Sequence, residues 1–279
     1  MVVSVDARNR HNAMRRSLLK LLIGAAAAML LFSSPALAQK KVERKQALGM
    51  EAALRIVNMV GSVVVHGWNK DTVLVRGTLG AGDTFFMGGG YTGAKMFVES
   101  VNERDPKPTK LEIWVPARVR LWIKTATASI EVSDVTGGLD LYTVSGTIDV
   151  TGNPRELNAE AIDGDIHLTG SPTWVRAKSA SGAITFQGAS PDAAFSTVSG
   201  PIKVDGGNGV FERTKIETVT GNISFAGRLD RSGAFDLPLL ACRRLVHRLV
   251  HQPRRPVAPH SAGVRHDGSR ARYLGTARP

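Results

Sequence analysis

Glu131, Asp149 and His167 follow one another at intervals of 18 residues. Two carboxylates and an imidazole are the groups that general acid–base cleavage of a polysaccharide uses. On successive turns of a coil they would lie about 5 Å apart. The same column runs on as Thr185, Lys203 and Ser224, the mixture that a solvated face also produces. Other chemistry-bearing residues offer less. Asp163-Gly164-Asp165 carries oxygens of the kind calcium takes, yet one Asp-x-Asp is not a calcium-binding repeat. His66 and His167 lack further ligands at metal spacing. Cys242 is the single cysteine, which excludes a disulfide framework and any multi-cysteine metal centre. Ser145, Ser181 and Ser199 precede glycines without forming a Gly-x-Ser-x-Gly elbow. Met87-Gly88-Gly89-Gly90-Tyr91 lacks the Gly-Lys-Ser/Thr that a phosphate cradle needs. Trp68, Trp114, Trp122 and Trp174 are spread along the chain, where packing in core or loops is favoured over a sugar-stacking platform. No cofactor and no metal site is expected.

The elements that must position these residues are repeats. Ile130, Ile148, Ile166, Ile184, Ile202 and Ile223 recur at intervals of 18, 18, 18, 18 and 21 residues. Two positions after them stand Val132, Val150, Leu168, Phe186, Val204 and Phe225; two before stand Ala128, Gly146, Gly164, Gly182, Gly200 and Gly221. Seven before is the apolar column Ile123, Leu141, Ala159, Ala177, Phe195 and Ile216, and five before is the small column Thr125, Thr143, Ala161, Ser179, Thr197 and Thr218. Both pairs of inward positions enclose a polar one, the period-two signature of a strand with one buried face. Each unit therefore has two short strands around a Ser/Thr-x-Gly corner, where glycine accepts unusual backbone angles and hydroxyls bond nearby backbone. Loops such as Thr151-Gly152-Asn153-Pro154 and Thr169-Gly170-Ser171-Pro172 close the turn.

One such unit cannot bury its own apolar face, but stacking makes a continuous core. The fold class expected is all-β: a β-solenoid with an 18-residue repeat, preceded by a signal peptide. Ile56 to Val65 matches the word early, with Gly61 at the corner and Val63 and Val65 in the second strand. The solenoid domain is placed at 54–236, after an N-terminal linker at 39–53. Thr72 to Gly77 and Leu111 to Pro116 read as further strands, and residues 79–108 between them as an inserted loop or protruding hairpin.

The formal charge of +12 lies at the ends. Residues 39–234 hold 22 cations and 21 anions, which argues against nucleic acid as a partner, since phosphate binding needs basic charge on a folded surface. Arg15, Arg16 and Lys20, the apolar run Leu18 to Phe32 and Ala36-Leu37-Ala38 form a signal peptide at 1–38, cleaved after Ala38. Whether the general secretory or the twin-arginine route is used stays open. From Leu237 to the end there are nine arginines, no lysine, four histidines and five prolines. That segment, 237–279, reads as a disordered basic tail or the product of a shifted reading frame. Membrane contact is left to this tail alone.

The segment Asn58-x-x-Gly61-x-Val63-x-Val65-x-Gly67-Trp68, Leu111-x-Ile113-x-Val115-Pro116 and the repeated Thr-x-Ser-Gly-x-Ile-x-Val word together resemble the bacterial "putative adhesin" family of exported β-solenoid proteins. The resemblance spans about residues 50–230. It implies export, the solenoid fold and a surface role, and carries no catalytic residue or ligand. The function expected is that of a non-enzymatic protein of the cell envelope, in the periplasm or at the cell surface, whose regular faces serve adhesion, binding or structural association with an envelope protein or glycan. A polysaccharide lyase or hydrolase is the alternative.

Overall fold

The computed structural model describes residues 40–102 and 104–237 and the backbone of 245–249. The expected signal peptide, its cleavage after Ala38 and most of 237–279 lie outside the described residues. Among those described, every regular element is a strand and none is a helix; no helix is long and apolar enough to cross a membrane. Seven strands come first: β1 (Lys41–Ala47), β2 (Ala53–Val57), β3 (Gly61–Trp68), β4 (Thr72–Thr78), β5 (Thr84–Gly90), β6 (Gly93–Glu99) and β7 (Thr109–Pro116). Short strands then alternate: β8 (Arg120–Lys124), β9 (Ser129–Ser133), β10 (Gly138–Thr143), β11 (Ile148–Thr151), β12 (Glu156–Ala161), β13 (Ile166–Thr169), β14 (Trp174–Ser179), β15 (Ile184–Gln187) and β16 (Asp192–Thr197). The longer β17 (Ile202–Thr218) and β18 (Ile223–Asp236) and then β19 (Leu245–Leu249) follow.

Two parallel ladders run through this sheet. In one, β6, β2, β8, β10, β12, β14, β16 and the end of β17 are successive neighbours. In the other, the order is β7, β3, β9, β11, β13, β15, the start of β17, β18 and β19. Ile130, Ile148, Ile166, Ile184, Ile202 and Ile223 stand opposite one another in sequence along the second ladder. All six are at most 1% exposed, and the four inner ones have an isoleucine on either side; removing each side chain from water is worth about 1.5–3 kcal/mol. Large and small residues alternate in the core: buried Phe195 is the register neighbour of buried Ala177, and its ring lies 5.3 Å from that of buried Phe186.

The corners use the small column. The Thr143, Ser179 and Thr218 hydroxyls accept the backbone N–H of Gly146, Gly182 and Gly221 at 3.1, 2.9 and 2.9 Å. The hydroxyl that serves the corner thus belongs to the buried residue five before the isoleucine. The reason for the glycines also differs from the expected one. Left-handed φ occurs in the opposite turn, at Gly152, Gly170 and Gly188 (φ +136°, +139° and +137°). The corner glycines are instead fixed by proximity: a Cβ on Gly164 would lie 1.9 Å from the Gly146 carbonyl oxygen.

Four expectations about the boundaries are corrected. The linker 39–53 contains β1, antiparallel to β4; its run of charged residues suits an edge strand, which must discourage further pairing. Residues 79–108 hold one of the two expected forms, the hairpin, made by β5 with β6, but it is not a protruding insert: β6 is an integral rung beside β2 with Ala94 and Met96 buried. Its alternation lacks the repeated word, so only the ladder reveals it. The solenoid start near Leu54 is therefore not the end of the stack, because β6 and β7 lie outside β2 and β3. In the tail, Leu245–Leu249 pairs in parallel with Ile223–Gly227, so disorder does not describe that part of 237–279; the open backbone edge of β18 accepts a strand.

Candidate functional site

Glu131, Asp149 and His167 are brought together. They are direct register neighbours on β9, β11 and β13, in a row that continues through Val64 and Glu112 on one side and Thr185 on the other. Glu131 and His167 are exposed and Asp149 half-buried. None of the three lines the troughs described below. Asp163 and Asp165 are already engaged, accepting the Ser181 hydroxyl at 2.8 Å and the Ala183 N–H at 2.7 Å. Among the described residues no group of three His, Cys, Asp or Glu could hold a metal ion. His66 sits in a cluster that sequence reasoning missed. Its Nδ1 is 2.9 Å from the Ser133 hydroxyl, its Nε2 is 3.5 Å from a Glu112 oxygen, and its ring centroid is 5.6 Å from that of Trp114. Ser133 lies 67 residues away in the chain, so no local motif marks the group.

The outward face of the other ladder is more sculpted. Along it, Arg120, Gly138, Glu156, Trp174, Asp192 and Arg213 form one row and Trp122, Asp140, Asn158, Arg176, Ala194 and Lys215 the next. Small residues interrupt the large ones and leave two troughs. One, about 260 Å³, is floored by Gly138 and Leu139 and walled by Arg120, Glu156 and Trp174. The second, about 490 Å³, is floored by Ala194 between Arg176 and Lys215. Arg176 and Lys178 border both.

The four tryptophans are half-buried at outward strand positions, not core or loop packing. Each has a cation over its ring: Lys70 on Trp68, Arg76 on Trp114, Arg55 on Trp122 and Arg176 on Trp174, at 4.7, 5.7, 5.5 and 4.8 Å from the centroid. Trp122 also meets Tyr142, centroids 6.0 Å apart, and Asn158 Nδ2 donates to the Tyr142 hydroxyl at 3.2 Å. Burial, then the Asp140 and Glu160 carboxylates, holds the Tyr142 phenol above its ordinary value. It stays protonated in neutral solution.

Ion pairs tie down most cations of this face. Arg120 reaches Asp140 at 3.7 Å and Glu156 at 3.6 Å, Lys178 reaches Glu160 at 3.9 Å, Arg213 reaches Asp192 at 2.9 Å and Lys215 reaches Glu217 at 2.8 Å. The last contact lowers the Glu217 pKa and raises that of Lys215. Such exposed pairs contribute about 0–1 kcal/mol each, so their effect is to hold side chains in position more than to stabilise the fold. Arg176 has no carboxylate partner among the described residues. The arrangement offers aromatic surface, hydrogen-bonding groups of both kinds and one uncompensated guanidinium beside space that a ligand fits.

No family model and no curated protein matches the chain. Solved structures do. The chain is similar to a "putative adhesin" from Bacteroides fragilis NCTC 9343, at 15% identity and TM-score 0.42 over 76% of this chain and 97% of the other. A "putative adhesin" from Parabacteroides merdae ATCC 43184 follows at 11% identity and TM-score 0.39, again over 76% and 97%. A "putative lipid binding protein" from Parabacteroides distasonis ATCC 8503 is similar at 13% identity and TM-score 0.34, over 71% and 97%. The first two carry the description of the family that the repeated word resembles.

Proposed function

We propose that the protein is an exported, non-enzymatic component of the cell envelope, a β-solenoid whose long faces serve adhesion, binding or structural association. The observation that carries this reading is the outward face of β8, β10, β12 and β14. It sets Trp122, Tyr142 and Trp174 among charges of both signs, with Trp174 walling the smaller of two open troughs, the composition that binding surfaces favour. Supporting the solenoid are the parallel registers at 18-residue intervals, which lengthen such a face by one strand spacing, about 4.8 Å, for every unit added. Export rests on the basic, apolar and Ala-x-Ala segments of 1–38.

The test is retention of the purified, fluorescently labelled full chain on washed envelope preparations, measured beside release of new reducing ends or unsaturated sugars from acidic glycans. Saturable retention without turnover is expected. Turnover that disappears in Asp149→Ala would replace the binding reading with an enzymatic one using the Glu131, Asp149 and His167 row.

A further inference from the structure

We propose that the Trp174–Arg176 shoulder between the two troughs is a subsite for a carboxylate-bearing sugar of an acidic polysaccharide, an inference that rests on the binding reading above. Three observations converge there. Trp174 is half-buried and walls the smaller trough, so part of a rigid, amphipathic ring faces the space where a ligand would lie. The carbon-bound hydrogens of a pyranose pack on such a ring while its hydroxyls stay outside. Arg176 lies 4.8 Å from that ring centroid. A guanidinium is able to engage a carboxylate through two parallel N–H donors.

Charge selects the same residue. The cations around it, Lys178, Arg213 and Lys215, each have a carboxylate within 4 Å, whereas Arg176 has none among the described residues. A bound anion would meet the guanidinium without first displacing an acidic side chain. The hydroxyls of the same sugar would meet Asn158 and Glu156, which border the smaller trough. On the neighbouring strands, about 4.8 Å away, Glu156 and Asn158 stand on one side of Trp174 and Arg176 and Asp192 and Ala194 on the other, and the second trough continues past Ala194 toward Lys215. The ligand is therefore a chain lying along the ladder, across the strands.

Titration calorimetry of the full chain with polygalacturonate, and with its methyl ester, tests the assignment. The parent protein should bind the acid form more tightly than the ester. Arg176→Gln should weaken binding of the acid form about tenfold or more, the loss of one charge-assisted pair, and leave the ester unchanged. Trp174→Ala should weaken both, with Trp174→Phe restoring part of the loss. Unchanged circular dichroism and melting would separate these effects from misfolding. Equal affinity of the parent for acid and ester, or Arg176→Gln and Trp174→Ala binding like the parent, overturns the subsite. Full envelope retention by Trp174→Ala/Arg176→Gln would also refute the subsite while sparing the binding reading; absence of retention by the parent would remove that reading itself.

Discussion

Replacing Gly182 by alanine asks how the corners are held. A Cβ at this position would sit 2.0 Å from the Gly164 carbonyl oxygen and 2.9 Å from the Ser179 hydroxyl that accepts the Gly182 N–H. Ordinary contact begins near 3.4 Å, so the two corners must part by more than an ångström. They cannot do so freely, because Ser181 N–H donates to the Ile162 carbonyl at 3.0 Å and Ile184 N–H to that of Pro201 at 2.9 Å, fixing the spacing below and above. Overpacking a tight site costs about 1–3 kcal/mol, and weakening the Ser179 bond adds about 1 kcal/mol. We expect a loss of about 3 kcal/mol in urea unfolding. Gly88→Ala is the control: nothing lies within 4 Å of its Cβ and its φ is ordinary, so its stability should change by less than about 0.5 kcal/mol. Gly207→Ala meets open space at φ +53° and should cost about 1 kcal/mol through backbone strain alone. If Gly182→Ala unfolds at the same urea concentration as Gly88→Ala, the proximity argument is wrong.

Ile166→Asp should unfold the chain or lower its melting temperature severely, since the carboxylate would enter a fully buried column without a partner; melting like the parent would disprove the inward assignment. The far-ultraviolet circular dichroism of the protein should be β-dominated. Glu217, with its pKa lowered chiefly by the Lys215 hydrogen bond, contributes stability that is present above the usual carboxylate range and lost as pH falls through the lowered value. The melting-temperature difference between the parent and Glu217→Gln should therefore shrink between about pH 6 and pH 3, and a constant difference would contradict this. Truncation after Asp236 removes the partner of Ile223–Gly227. Amide exchange there should accelerate while that of Ile148–Thr151 does not; unchanged protection at 223–227 would show that β19 adds nothing.

Where the word recurs, the all-β architecture and its registers were legible residue by residue: Ile148 pairs with Ile130 and Ile166 as the spacing requires. A side chain that must meet its own kind on the next strand leaves a periodic record. The start of the stack left none, because β6 and β7 meet β2 and β3 through pairings 40 or more residues apart that no fixed interval announces. The site was half visible. Alternation placed Glu131, Asp149 and His167 on one face, but it says nothing about relief. A trough exists where Gly138 and Ala194 fall between larger neighbours on adjacent strands, a contrast read only after the rows are aligned. The scatter of the tryptophans along the chain suggested packing in core or loops, although their odd-even position relative to Leu121, Ile123, Val175 and Ala177 already put Trp122 and Trp174 outside.

The order of strands at the beginning of the stack has a mechanical consequence. β2 and β3 are inserted between a pair that follows them in the chain, β6 and β7, and the pair β8 and β9. Beyond them β5 runs antiparallel to β6 and β4 antiparallel to β7, with β1 antiparallel to β4 at the edge. A load applied at Lys41 first peels β1, an edge strand held by β4 alone. Behind it β2 and β3 are each clasped on both sides by segments distant in the chain, so the load must then shear several rungs together. A load applied at Asp236 meets units whose partners are their immediate predecessors and can unzip them singly, at low force and in small steps. The described residues thus have one end stitched by pairings distant in the chain and one whose strands can be released in order.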